Sequence, residues 1–217
     1  MPTLTYRDRI AVLDLGDTEN RFSPEALDEI DHHLDTALAA GAPALLTTAS
    51  GKFYSNGLDL DWLSANGDRA PWYVARVQQL LGRVLTLAVP TVAALPGHAF
   101  GAGAMLALAH DYRVMRADRG YFCLPEVDLG IRFTPGMSAL IQAKLTPKTA
   151  LTAMTTGRRF GGTDAEAVGL VDATAAHDAV VDTAVGLVEP LGAKDADTLA
   201  DIKQTMFAAP FAALTAA

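Results

Sequence analysis

Glu126 stands in the run Leu124-Pro125-Glu126-Val127-Asp128-Leu129-Gly130. Upstream, residues 96 to 108 read Pro-Gly-His-Ala-Phe-Gly-Ala-Gly-Ala-Met-Leu-Ala-Leu. A carboxylate held between apolar segments is a candidate proton carrier, because an apolar site raises its pKa toward neutrality. The glycine-rich run joins the apolar stretch Thr91 to Leu95 to a helix through small residues. Residues this small let a ligand carbonyl approach the N–H groups at a helix start, where the helix dipole favours negative charge. One base beside such donors suits removal of a proton α to a carbonyl, with the enolate oxygen held by backbone N–H groups.

Those groups need a scaffold, and the pattern supplies one. Residues 4–6 and 10–15 predict a strand pair around Arg7-Asp8-Arg9. Ser23-Pro24-Glu25 opens a helix with a cap, a proline at the first helical position and an acid in the first turn. Leu27, Ile30, Leu34 and Leu38 keep helical spacing until Gly41 stops it. Residues 44–48 and 91–95 read as buried strands, and 111–116 and 120–123 as two more. Strands joined by helical crossovers of this length pair in parallel. Residues 51–70 read as irregular, 76–88 as a helix ended before Pro90, and 103–110 as another. Beyond Glu126, helices are predicted over 136–145, 147–155, 163–168, 176–191 and 198–207. The class is α/β, with strands early and helices late.

A length of 217 residues fits one domain, 1–217, and half of them are apolar, as in a folded globular protein. A net charge of −8 and a pI near 5.0 disfavour nucleic acid as a partner. The lone Cys123 leaves no intramolecular disulfide or multi-cysteine zinc site, and its setting, Tyr121-Phe122-Cys123-Leu124, is that of a core thiol. No run approaches the roughly 18 apolar residues of a membrane span. Arg7, Asp8 and Arg9 interrupt any early signal core, and Leu214-Thr215-Ala216-Ala217 matches no peroxisomal signal. A soluble cytoplasmic protein is expected.

Four segments, in order, resemble the crotonase (enoyl-CoA hydratase/isomerase) superfamily. Lys52-Phe53-Tyr54-Ser55-Asn56-Gly57-Leu58-Asp59-Leu60 is similar to its first oxyanion loop, and Pro96 to Leu106 to its glycine-rich second loop. Leu124-Pro125-Glu126 with Leu129-Gly130 is similar to its catalytic segment. The stretch from Gly157 through Asp164-Ala165-Glu166-Ala167-Val168-Gly169-Leu170-Val171-Asp172 is similar to a later family motif. The resemblance implies a spiral of repeated β-β-α turns, with the core over about residues 1–190 and a helical C-terminal segment over 191–217. It also implies acyl-CoA thioester substrates, a homotrimer or dimer of trimers, and no cofactor beyond the CoA carried by the substrate. The backbone N–H groups of Leu58 and Ala102 would bind the thioester carbonyl. Ser55, Asn56, Gly57, His98, Gly101, Gly103 and Met105 would surround the substrate, and Lys52 and Arg21 would meet the CoA phosphates. Arg132, six positions past Glu126, is read from its place as a contact for a polar substrate tail, a partner for an acid, or a solvent-facing residue.

Members of this family that hydrate enoyl-CoA carry two glutamates. Here the first position is Met105 and the second is Glu126. A thioether can neither deprotonate water nor protonate carbon, whereas a 1,3 proton shift needs one carboxylate. The Met105/Glu126 pair resembles the Δ3,Δ2-enoyl-CoA isomerases, and Asn56 to Trp62 with His110-Asp111-Tyr112 resembles their plant-type branch. Dienoyl-CoA isomerases need an acid eight positions after the glutamate, where this chain has Thr134. A hydratase with an unusual water site and a catalytically silent acyl-CoA-binding scaffold are the rival readings. Asp59 and Asp61 read as a helix cap and a solvated face, while Trp62, Trp72 and Tyr73 fit either an acyl pocket or packing. The apolar run Phe207 to Phe211 is expected at an interface, with residues 60–87 or a neighbouring subunit completing the pocket.

Overall fold

The computed structural model describes residues 1–216. Strand β1 (Thr3–Arg7) pairs antiparallel with β2 (Ile10–Asp14) as the sequence predicts, and helix α1 (Pro24–Ala39) follows. Ser23 Oγ accepts from the Ala26 N–H at 3.2 Å and caps that helix. Caps of this kind stabilise by about 1 kcal/mol. From there the chain winds in turns that each give one strand to a large sheet and one to a small sheet. The first turn holds β3 (Leu45–Thr48), β4 (Phe53–Ser55), α2 (Leu60–Ala65) and α3 (Ala70–Leu85). The second holds β5 (Thr91–Leu95), β6 (His98–Phe100) and α4 (Ala102–Ala109). The third holds β7 (Tyr112–Arg116), β8 (Phe122–Cys123) and α5 (Glu126–Leu129).

The large sheet has the order β1-β2-β3-β5-β7-β9, and the small one β4-β6-β8. Beyond β1, every pairing in both sheets is parallel. The second half is helical: α6 (Pro135–Lys144), α7 (Pro147–Thr156), α8 (Gly162–Ala167), the short edge strand β9 (Ala173–Ala175), α9 (Val180–Val188), α10 (Ala196–Met206) and α11 (Ala208–Thr215). Thr134 and Thr146 cap α6 and α7 by accepting from Met137 and Thr149 N–H. This is the expected β-β-α spiral with a helical C-terminal region.

Three expectations change. Residues 51–70 are not wholly irregular, since they hold β4 and α2, the latter capped by Asp59 through the Trp62 N–H at 3.1 Å. The helix expected over 76–88 begins at Ala70, because Pro71 is tolerated in a first turn. The helix expected over 176–191 breaks into α9 between two short 3₁₀ turns, the second holding Pro190. The C-terminal apolar run is covered only in part by its own chain, with Phe207 and Pro210 buried and Phe211 exposed. Phe207 and Leu214 are buried as α11 packs on α3 and α6 of its own chain. The fit is tight enough that a Cβ on Gly136 would lie 2.6 Å from Leu214 Cα.

A buried polar chain ties the large sheet to α4. His110 Nδ1 lies 2.8 Å from the Leu106 carbonyl, which can only accept, so this nitrogen carries the proton. Its Nε2 then accepts from Thr47 Oγ1 at 3.0 Å, leaving Tyr54 to donate to Thr47 at 2.7 Å. Burial lowers the His110 pKa to about 4, so the ring is neutral and structural.

Candidate active site

After β4, the chain runs Asn56-Gly57-Leu58 directly against the start of α4. Gly57 takes φ +78°, and a Cβ there would come within 2.8 Å of the Phe100 carbonyl and 2.9 Å of the Ala102 nitrogen. From the other side, a Cβ on Gly103 would lie 2.5 Å from the Ser55 carbonyl. Two glycines thus let two loops touch. Ser55 Oγ fastens the first loop by accepting from the Gly57 N–H at 3.1 Å and donating to the Asn20 carbonyl at 2.7 Å. Among the described residues, neither the Leu58 nor the Ala102 N–H has a protein acceptor. Two backbone donors therefore stand open, Ala102 at the start of α4 and Leu58 in the loop packed against it.

Glu126 faces them from the first position of α5. A Cβ on Gly101, itself at φ +51°, would lie 3.3 Å from Glu126 Oε1, so the carboxyl group lies beside the glycine turn. Glu126 Oε2 is buried and has no hydrogen-bond partner among the described residues. Burial pushes the pKa up to about 7, partly offset by a bond from its own backbone N–H. A carboxyl poised near neutrality can take a proton and return it.

Two cavities share this carboxyl in their walls. The outer, about 260 Å³, is bordered by Arg21, Asn56, Phe100, Gly101, Pro125 and Leu129. The inner, about 170 Å³, is bordered by Leu63, Val74, Met105, Arg132, Phe133 and Met137. Leu58, Leu60, Ala102, Glu126 and Ile131 line both. Glu126 is the only carboxylate in either lining among the described residues. Of the 60–87 stretch, Leu60, Leu63 and Val74 line the pocket.

Of the residues singled out in the sequence, Glu126, Leu58, Ala102, Asn56, Gly101, Met105 and Arg132 come together around these chambers. Ser55, Gly57, Gly103 and His98 do not line them. Ser55 is fully buried and Gly57 and Gly103 are packing contacts behind the wall. His98 is half-buried in an aromatic stack, its ring within 5.5 Å of the Phe53, Phe100 and Tyr121 rings and its Nδ1 buried without a partner among the described residues. Strand alternation puts residues 98 and 100 on one face, and only Phe100 reaches the cavity. Arg21 borders the outer chamber but is engaged by Glu19 and Asp61 at 2.6 and 2.5 Å. Lys52 is exposed over the Phe53 ring.

Trp62, Trp72 and Tyr73 form a packed aromatic cluster outside both linings. The Tyr73 hydroxyl donates to the Phe22 carbonyl and accepts from Asp59 N–H, fixing the segment that carries Leu60. Cys123 is a buried thiol, with its pKa pushed up to about 11 by burial. Leu60, Leu129, Ile131, Phe133 and Met137 are the lining residues that sequence reasoning missed. Their one signal is position, flanking the Gly-Leu-Asp loop or following Glu126 within eleven residues.

The fold and this site fit a known family, and comparison with known proteins shows which one. The family described as Enoyl-CoA hydratase/isomerase matches residues 6–216. The chain is 37% identical to enoyl-CoA delta isomerase 2, peroxisomal, of Arabidopsis thaliana, over 95% of this chain and 92% of that protein. Among solved structures, a probable enoyl-CoA hydratase of Mycobacterium tuberculosis H37Rv superposes with a TM-score of 0.92 at 26% identity, covering 98% of this chain and 91% of that one. An apo structure of the same Mycobacterium tuberculosis protein, there described as an enoyl-CoA isomerase, superposes with a TM-score of 0.92 at 26% identity, covering 98% and 93%. The protein belongs to the enoyl-CoA hydratase/isomerase family and has the crotonase fold.

Proposed function

We propose that the protein is a Δ3,Δ2-enoyl-CoA isomerase in which Glu126 alone carries the proton. The thioester carbonyl accepts from the Leu58 and Ala102 N–H groups. Ionised Glu126 takes a proton from C2, and the released pair forms the C1–C2 double bond of a dienolate whose negative charge rests on the oxygen. The C2–C3 double bond forms as C4 is protonated and the carbonyl returns. Protonated Glu126 then returns the proton at C4, giving the 2-enoyl thioester. Oxyanion donors of this kind are worth roughly 2.7–4 kcal/mol each. The reaction is redox-neutral and balances with one carboxyl group, so it calls for no cofactor beyond the CoA of the substrate.

The observation that carries this reading is the solitary carboxylate. Met105 occupies the inner wall where a hydratase of the family needs its second acid, and Thr134 caps α6 where a dienoyl isomerase needs one. The similarity to enoyl-CoA delta isomerases supports the same choice. The test is incubation with 3-enoyl-CoAs in deuterated water, with mass and double-bond position read on the product. Movement of the bond with no gain of water is expected, with deuterium entering at C4 to the extent that the Glu126 proton exchanges with solvent before its return. Addition of water would make it a hydratase, and binding without bond movement or α-proton exchange would make it a silent scaffold. The natural setting we propose is cytoplasmic.

As the working assembly we propose a trimer or dimer of trimers. Val127 and Leu151 are exposed apolar residues on the packed pair α5 and α7, and Leu129 lies beside the cavity mouth with more than half its surface open. A second subunit over this face would cover them and narrow the outer chamber. Light scattering after gel filtration checks this, and a monomer at micromolar concentration would overturn it.

A further inference from the structure

Arg132 is set in the wall between the inner chamber and the surface. On one side it lines the chamber with Glu126, Met105 and Phe133; on the other it borders an open groove with Val127, Ser138 and Met154. Besides Glu126 it is the only charged residue in the chamber lining among the described residues. The Thr134 hydroxyl, the remaining polar group there, is already engaged with Gln78 and the Met137 N–H.

Most arginines of this chain are matched. Arg83 pairs with Asp31 at 2.8 Å and Arg113 with Asp172 at 3.0 Å, while Arg69 stacks on Trp72 and Arg159 on Phe100. Arg132 is exposed and has no carboxylate, hydrogen-bond or ring partner among the described residues. A guanidinium open to water is inexpensive while the chamber is empty. An apolar acyl tail filling the chamber would strip part of that hydration and return nothing. A terminal carboxylate would replace it with the planar, bidentate bonds that suit arginine.

We infer that Arg132 selects acyl groups ending in a carboxylate, so that the preferred substrate is a 3-enoyl-CoA with a free carboxylate at the far end of its acyl chain. The inference rests on the isomerase reading for the reactive end of the molecule, and on Arg132 alone for the other end. The apolar wall between Glu126 and Arg132 then holds the methylene groups that separate them.

Two measurements test it. The first is binding, by calorimetry, of adipoyl-CoA and suberoyl-CoA against hexanoyl-CoA and octanoyl-CoA, saturated ligands that need no turnover. The wild type should favour the diacid of at least one matched pair by about tenfold. Arg132→Met, which keeps length and removes charge, should erase or reverse that preference, and Arg132→Lys should keep part of it. The second is kcat/KM for 3-hexenedioyl-CoA against 3-hexenoyl-CoA, where the same preference is expected. Equal or weaker binding of both diacids, or a preference that survives Arg132→Met, overturns the inference. Selective binding of diacids with no isomerisation of either substrate would instead overturn the isomerase reading and leave the assignment of Arg132 standing.

Discussion

Gly57 and Ala102 are in contact through backbone alone: a Cβ added to Gly57 would lie 2.9 Å from the Ala102 nitrogen. The two proposed oxyanion donors are thus set by one glycine that keeps both loops together at φ +78°. Gly57→Ala must push the loops apart or change that backbone angle. Removing one donor costs roughly 10²–10³ in kcat. A loss of at least about a hundredfold in kcat/KM is expected, with circular dichroism little changed. Near-wild-type turnover would mean that Leu58 and Ala102 do not share the carbonyl.

Glu126 sets the pH dependence. Its pKa is raised by burial to about 7, and the base form is the ionised one. The rate constant kcat/KM should therefore rise with pH through a midpoint near 7 and level off above it. Glu126→Gln should abolish isomerisation. A profile flat between pH 5 and 9 would remove Glu126 as the base.

The same shift makes a stability prediction of definite sign. The folded state holds the Glu126 proton more tightly than the unfolded chain, whose carboxyl titrates at its ordinary value of 4.5. Between that value and about 7 the unfolded carboxyl ionises while the native one keeps its proton, so stability falls progressively as pH rises. Above pH 7 the loss is of order 3 kcal/mol. Glu126→Gln should raise the Tm relative to wild type at pH 8, with the difference vanishing below pH 4. Denaturation at the two pH values checks it.

The sequence made the long elements legible because each carries its own local signal. Ser23-Pro24 announces α1 and the apolar runs announce β3, β5 and β7, and all stand within a few residues of expectation. Strands β4 and β6 were missed because three residues show no period, and their pairing links residues 53 and 98 across the chain. Glu126 was visible as a residue type, whereas the open N–H groups of Leu58 and Ala102 look like any others until the loops meet. Ser55 and His98 mark the limit. Both flank the right loops, but Ser55 is buried in the core and His98 stacks among the Phe53, Phe100 and Tyr121 rings, beside the cavity and not in its lining.

Met105 tests why one carboxylate suffices. It is 1% exposed and shares the inner chamber with Glu126. Met105→Glu would put a second carboxyl in an apolar space, and two such groups cannot both ionise cheaply. The lower limb of the pH profile should move upward by a unit or more. Isomerisation at pH 7 should fall accordingly. An unchanged profile would show that residue 105 does not face the base.

The C-terminal helices are held by a charge that the chemistry does not use. Lys203 on α10 reaches the Asp111 carboxylate at 2.6 Å and the Val89 carbonyl at 2.9 Å, and its own side chain is only 5% exposed. Asp111 in turn accepts from the Thr91 N–H at the start of β5, the strand that leads into the glycine turn. Removing one partner of a buried pair strands the other, at a cost of roughly 3–5 kcal/mol when both are fully dry. Asp111 is about one-fifth exposed, so Lys203→Met should cost somewhat less, about 2–3 kcal/mol in urea denaturation. The double variant Lys203→Met with Asp111→Asn should recover part of that loss, because it removes the stranded charge as well. A double variant no more stable than the single one would show that the loss comes from the packing of α10 and not from the ion pair.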